Sequence, residues 1–238
     1  MNLNDIIYAD LSTYTPEKTM AFYEAVFGWK YYEANGYFVA YKDEKQVVGL
    51  YETPEKFKQM RMPHFWMTYV QVENVEYLVE KAKNLGAIIE MAYAEKSLGS
   101  VALIRDSQGA GFTIYAGDAI ENTRTVNEAN TLVWNELHVS DASTIIPFYQ
   151  NLFGWKIKKF SEGYYPIFNN GNHISDIYEI PNQEKGKYEY WVSVFAVANL
   201  ENTKNRIVEL GGTIVFDEGN RILCTDNSEQ AFFYVKSL

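Results

Sequence analysis

The chain has 238 residues, of which 47% are hydrophobic and 22% charged, a balance that builds a globular core and excludes a disordered or fibrous chain. Its formal charge of −10, from 21 basic and 31 acidic residues, comes without a basic cluster, so no nucleic acid is expected as a partner. A single cysteine, Cys224, rules out an internal disulfide, and no stretch approaches the roughly 18 apolar residues of a membrane span, so a cytoplasmic protein with no membrane partner is expected.

The first predicted element is a strand over residues 3–11. Thr15-Pro16-Glu17 then starts a helix, with Thr15 as N-cap and proline at the first helical position, and Gly28 stops it. Three strands follow over 29–33, 37–41 and 46–51, and the Asn35-Gly36 pair between two of them is a hairpin signal. The same order recurs: a strand over 65–72, Asn74 as N-cap, a helix over 75–85, Gly86, then β-rich sequence through a turn at 106–111. Residues 117–130 are polar and without period, and read as a linker. Beyond it come a strand over 131–139, Asp141 as N-cap and a helix over 142–153 that Pro147 is expected to kink or shorten. Gly154, a strand over 190–197, Asn199 as N-cap, a helix over 200–210 and Gly211 complete the series.

This recurrence is an internal duplication. Residues 22–30 read FYEAVFGWK and residues 148–156 read FYQNLFGWK, identical at six of nine positions at an offset of 126. Leu85-Gly86-Ala87 aligns with Leu210-Gly211-Gly212, and Asp106-Ser107 with Asp226-Asn227. Four βαβββ units result, two per half, with halves at 1–117 and 131–238 joined by 118–130. Phe22, Tyr23, Phe27 and Trp29 fall on the inward stripe of a helix and its exit, and read as core.

A strand, an N-cap, F-Y-x-x-x-F-G-W and a D-x-x-G-A turn before the last strand resemble the two-domain, bleomycin-resistance-like branch of the vicinal oxygen chelate superfamily (glyoxalase, bleomycin-resistance protein, extradiol dioxygenase). The resemblance implies an α+β fold of two tandem glyoxalase-like domains, each with a cupped mixed sheet of eight strands. It also implies where a catalytic divalent metal would be held, because enzymes of the superfamily converge His, Glu or Gln from first and last strands. Those positions fall here on Tyr8 and Trp134, on Met67 and Val192, on Thr113 and Phe233, and near Gly49 or Leu50 in the first half and near Asp176 or Ile177 in the second. Carboxylate or imidazole is missing from nearly all of them, so no metal and no cofactor is expected.

Strand alternation instead turns Tyr8, Asp10, Met67, Tyr69, Thr113 and Tyr115 toward the cup in the first half, and Trp134, Glu136, His138, Val192, Val194 and Phe233 in the second. Aromatic walls with few polar groups are the recipe of a small-molecule site. Asp10 and Glu136 occupy equivalent positions and would meet a cationic or hydrogen-bond-donating group. His64 and His173 read as loop residues. The expectation is a metal-independent, sequestration-type binding protein for a small organic molecule, as a single chain or a homodimer. Its rivals are a lyase or dioxygenase-like enzyme with a metal on Glu136, His138 and Asp176, and a purely structural protein.

Overall fold

The computed structural model describes residues 2–186 and 189–238. In the first half the elements are β1 (Ile6–Thr13), α1 (Pro16–Phe27), β2 (Lys30–Ala34), β3 (Tyr37–Lys42), β4 (Lys45–Glu52), α2 (Glu55–Gln59), β5 (Phe65–Gln71), α3 (Val75–Asn84), β6 (Ile88–Glu95), β7 (Gly99–Arg105) and β8 (Gly111–Ala116). In the second they are β9 (Thr131–Val139), α4 (Ala142–Phe153), β10 (Lys156–Ile157), β11 (Tyr164–Asn169), β12 (Asn172–Glu179), β13 (Tyr190–Val197), α5 (Leu200–Glu209), β14 (Thr213–Asp217), β15 (Arg221–Thr225) and β16 (Phe232–Ser237). The α+β class and the four βαβββ units are present, with the five-residue α2 as an addition.

Each half supplies one eight-stranded sheet, in the orders β2-β3-β4-β1-β5-β8-β7-β6 and β10-β11-β12-β9-β13-β16-β15-β14. Both sheets are mixed. The first strand of each unit runs parallel to its last, as in β1 with β4 and β9 with β12, while the intervening hairpins are antiparallel. Asn35 and Gly36 both have positive φ, 55° and 79°, the pattern a tight hairpin turn requires. Asn74, Asp141 and Asn199 accept backbone N–H bonds from the first turns of α3, α4 and α5. Thr15 does not cap α1 with its side chain; Pro16 has no N–H to satisfy at the first position. Helix α4 runs unbroken through Pro147 from Ala142, so its first turn is not shortened.

The hydrophobic cores do not follow the sequence halves. One compact unit contains the chain up to Tyr8 with Thr68–Asn122 and Asn135–Val192; the other contains Ala9–Met67, Thr123–Trp134 and Ser193–Leu238. In the first unit Leu78, Val79 and Ala82 of α3 share a core with Ile145, Phe148, Tyr149 and Phe153 of α4. In the second, Phe22, Tyr23 and Phe27 of α1 share one with Ile207 of α5.

Two buried hydrogen-bond chains repeat this pairing. The Tyr149 hydroxyl donates to Asp106 Oδ2 at 2.8 Å and accepts from Trp191 Nε1 at 2.9 Å. In the other unit Tyr23 donates to Asp226 Oδ2 at 3.4 Å and accepts from Trp66 Nε1 at 3.1 Å. The duplicated tryptophans are equivalent too: Trp155 Nε1 donates to the Asn4 carbonyl at 2.7 Å and Trp29 Nε1 to the Asn130 carbonyl at 2.8 Å. Both asparagines have positive φ and stand just before a first strand, β1 or β9. The stretch before β9 is thus tied down at Asn130, whose N–H also donates to the Ala196 carbonyl. No helix among the described residues is long and apolar enough to cross a membrane.

Candidate ligand-binding site

Strand β9 sorts its side chains by alternation. Leu137 and Val139 point into the first unit's core, so Glu136 and His138 take the opposite face of the sheet. Glu136 has Asp176 of β12 as its direct register partner, and in β11 Tyr164 stands opposite Tyr178. Tyr190 on β13 precedes the core residue Trp191 and turns to the same side as Glu136. Six side chains from four neighbouring strands are thereby gathered on one face of one unit.

With His173 of β12 they form two imidazole–carboxylate pairs. His138 Nε2 lies 3.1 Å from Glu136 Oε2, and His173 Nε2 lies 2.8 Å from Asp176 Oδ1. An ionised carboxylate only accepts, so each imidazole nitrogen donates. Asp176 Oδ1 accepts a second bond from the Tyr164 hydroxyl at 2.9 Å. Rings frame the pairs: Tyr164 stacks on Tyr178 at 5.0 Å, and His138 stacks on Tyr190 at 5.2 Å and lies 5.5 Å from Tyr178. Glu136 and Asp176 are buried, while the three tyrosines are half-buried. Burial, then the hydrogen bond and charge of Asp176, push the Tyr164 phenol up to about 12. Burial and the charge of Glu136 push Tyr190 up to about 12.

The duplication supplies a counterpart in the second unit. Tyr37 donates to Asp10 Oδ2 at 3.1 Å and stacks on Tyr51 at 6.3 Å, so Tyr37 and Tyr51 stand to Asp10 as Tyr164 and Tyr178 stand to Asp176. Here Gly49 occupies the register place of Asp176, and Ser12 that of His138. The Ser12 hydroxyl is engaged with Thr53 Oγ1 at 2.9 Å.

The other expected site residues are placed as follows. Tyr8 meets Tyr69 edge to face at 5.5 Å, and Tyr69 is the register partner of Thr113. Met67, Val192 and Val194 are buried. The Arg124 guanidinium covers the Trp134 ring at 4.6 Å. Tyr115 serves the fold: its hydroxyl donates to the Leu98 carbonyl at 2.8 Å and accepts from the Ala119 and Ile120 N–H groups at 2.9 and 3.0 Å.

Phe233 requires a correction. It packs in the second unit's core against Tyr23, Phe27 and Phe195, and the neighbouring Tyr234 takes the opposite face as register partner of Val194. The turn closed by Asp226 N–H to the Ala231 carbonyl is one residue longer than its counterpart, closed by Asp106 N–H to the Ala110 carbonyl. One extra residue ahead of a strand exchanges its two faces. His173 is likewise not a loop residue but lies in β12. His64 lies outside the elements, yet is buried, 3.0 Å from Thr13 Oγ1 and stacked on Tyr14.

A divalent metal of the kind the superfamily's enzymes carry requires about three converging imidazole or carboxylate ligands. Among the described residues no three His, Cys, Asp or Glu side chains come together in that way. Tyr234, moved into the place assigned to Phe233, adds no such ligand, and Asp176 alone offers a carboxylate at those positions. The described residues at those positions do not make up the ligand set such a metal requires.

The glyoxalase/bleomycin resistance protein/dioxygenase superfamily model matches residues 6–114 and 131–222. The chain belongs to that superfamily. Among curated proteins it is similar to "Putative glyoxylase CFP32" of Mycobacterium bovis, 24% identical over 219 residues, covering 87% of this chain and 83% of the relative. It is also similar to the anthracycline biosynthesis protein DauV of a Streptomyces species, 24% identical over 213 residues, covering 81% and 77%. Among solved structures, an Mn(II)-bound glyoxalase from Novosphingobium aromaticivorans superposes with a TM-score of 0.65 at 14% identity, over 99% of this chain and 82% of that one. Such a likeness reports the fold alone.

Proposed function

We propose that this superfamily member is a metal-independent binding protein that sequesters a small organic molecule. One observation carries the reading: Glu136, His138, Asp176, Tyr164, Tyr178 and Tyr190 share one face, with Glu136 held by His138, Asp176 held by His173 and Tyr164, and the flat faces of the rings beside them. Few polar groups among aromatic walls are what organic ligands are held by, and the donor set does not converge on an ion. The naming of DauV for anthracycline biosynthesis supports a relative concerned with organic molecules.

Native mass spectrometry of the purified protein, with metal analysis of the same sample, tests the proposal. The expected result is an organic adduct released on denaturation, with Zn, Ni, Mn and Fe far below one per chain and retention of the adduct unchanged by EDTA. One equivalent of any of these metals, lost to EDTA together with the adduct, would overturn it.

A further inference from the structure

We infer that residues 53–64 form a strap, latched by His64, that lets go of the end of β1 when the imidazole is protonated. Its behaviour does not depend on what the face around Glu136 binds.

The strap connects β4 to β5 and is fastened to the end of β1 along its length. Thr53 N–H donates to the Thr13 carbonyl at 2.8 Å, and the Thr53 hydroxyl meets Ser12 Oγ at 2.9 Å. The Tyr14 hydroxyl donates to the Met62 carbonyl at 2.6 Å. His64 closes the strap with three contacts. Its N–H donates to Gln230 Oε1 at 3.0 Å, its Nδ1 lies 3.0 Å from Thr13 Oγ1, and its ring stacks on Tyr14 at 4.8 Å. Tyr14 in turn is one wall of a groove of about 500 Å³, with Pro16, Phe38 and Glu52, so the strap holds that wall in place. Between its ends the strap has only a five-residue helix and one buried apolar side chain, Phe57. Such a segment opens at less cost than the sheet it lies on.

A charge on His64 does not suit this setting. The residue is 8% exposed, and a buried imidazolium gives up hydration that the neutral ring does not need. Thr13 can accept from Nδ1, but Nε2 has no hydrogen-bond partner among the described residues, so the second N–H of an imidazolium would find no acceptor there. Charges face the ring from each element packed on it. The Asp226 carboxylate, in the turn before β16, attracts an imidazolium, and Lys18 of α1 repels it. Lys58 of α2, 5.9 Å from the centre of the Tyr14 ring, adds a second cation. Burial outweighs the attraction and pushes the imidazole below its ordinary 6.5. Asp226 is itself buried, which pushes its carboxyl up, so its attraction fades in acid. Because the folded value of His64 is lowered, the latch is fully present above 6.5 and is lost as pH falls toward that lower value. The other half has Glu189 in the place of His64, with its carboxylate accepting from Ser140 N–H at 2.7 Å. Only one half therefore carries an imidazole at this point.

Hydrogen exchange followed by mass spectrometry, on the full-length protein at pH 7.5 and 5.5 and corrected for the chemical exchange rate, tests the latch. Peptides over residues 53–64 are expected to lose protection about five- to tenfold between the two values. Peptides over α4 and β9 are expected to change by less than about twofold. His64→Gln keeps a hydrogen-bonding group near Thr13 but does not titrate, and is expected to make protection of the strap equal at both pH values. If that variant is unfolded, NMR titration of His64 in the wild-type protein, assigned by its contact with Tyr14, is the second readout. The ring is then expected to titrate below 6.5 and in step with the loss of protection. Wild-type strap protection unchanged between pH 7.5 and 5.5, a loss shared equally by all peptides, a pH dependence that survives in folded His64→Gln, or a His64 titration out of step with opening, overturns the latch.

Discussion

Tyr149 belongs to the motif that first reveals the duplication, and its hydroxyl explains why a tyrosine stands there. It joins Trp191 Nε1 to Asp106 Oδ2 in a place where neither group reaches water. Burial raises the pKa of Asp106, while the Tyr149 hydroxyl and the N–H groups of Gln108, Gly109 and Ala110 oppose it. Because the folded value is raised, the contribution of Asp106 to stability is fully present below its ordinary pKa of 3.8 and is lost as pH rises through the folded value. Tyr149→Phe removes a donor from the ionised carboxylate and strands the indole N–H, which costs about 2–4 kcal/mol. The loss is expected to be larger at pH 7 than at pH 4, where a protonated carboxyl supplies its own donor. Urea unfolding at the two pH values measures this, and an equal or smaller loss at pH 7 refutes it. The sequence alone identifies Tyr149 as a core residue. The partner Asp106 lies 43 residues away, in a turn whose role only the fold discloses.

Elements were legible where local chemistry decides them. Asn74, Asp141 and Asn199 each cap the helix they precede, and Gly28 and Gly154 end theirs in the left-handed region at φ 73° and 74°. These signals need only a few adjacent residues. Register was legible only where the repeat keeps its length. The face of β9 follows from alternation alone, whereas that of β16 is inverted by the extra residue between Asp226 and Ala231. The tyrosine pair was recoverable, since Tyr37 and Tyr51 recur at Tyr164 and Tyr178, carried by β3 and β4 in one half and by β11 and β12 in the other. Its meaning was not, because stacking and the bonds to Asp10 and Asp176 form across strands. The capping of α4 is testable at this scale. The Ser143 and Thr144 hydroxyls and N–H groups hold the Asp141 carboxyl down to about 2. Because the folded value is depressed, the cap's contribution is present above 3.8 and lost as pH falls toward 2. Asp141→Ala is expected to lower Tm by about 2–4 °C at pH 7, with the difference from the wild-type protein vanishing near pH 2. A difference that persists undiminished at pH 2 assigns the effect to something other than the ionised cap.

At the scale of the molecule, the sequence divides the chain once, at residues 117–130, and the cores divide it otherwise. Sheets form within a half because hairpins and the strand–helix–strand link are local. Helices, however, find their core partners in the other half, α1 with α5 and α3 with α4. Sequence cannot reveal this exchange, since α1 and α4 carry the same motif and either would suit either partner. That equivalence makes a definite prediction about fragments. A chain of residues 1–117 keeps all the strands of its sheet but loses α4 and α5, leaving α1 and α3 on their own strands without the helices that complete each core. As α4 is the repeat of α1, and α5 of α3, a second copy of the fragment offers the missing partners. The fragment is therefore expected to be unfolded as a monomer and folded as a homodimer, and to exchange into a heterodimer when residues 131–238 are added. Light scattering and near-ultraviolet circular dichroism over a dilution series distinguish these states. A folded, cooperatively melting monomer of either half would show that each half completes a core by itself, contrary to the side chains gathered around Tyr149 and Tyr23.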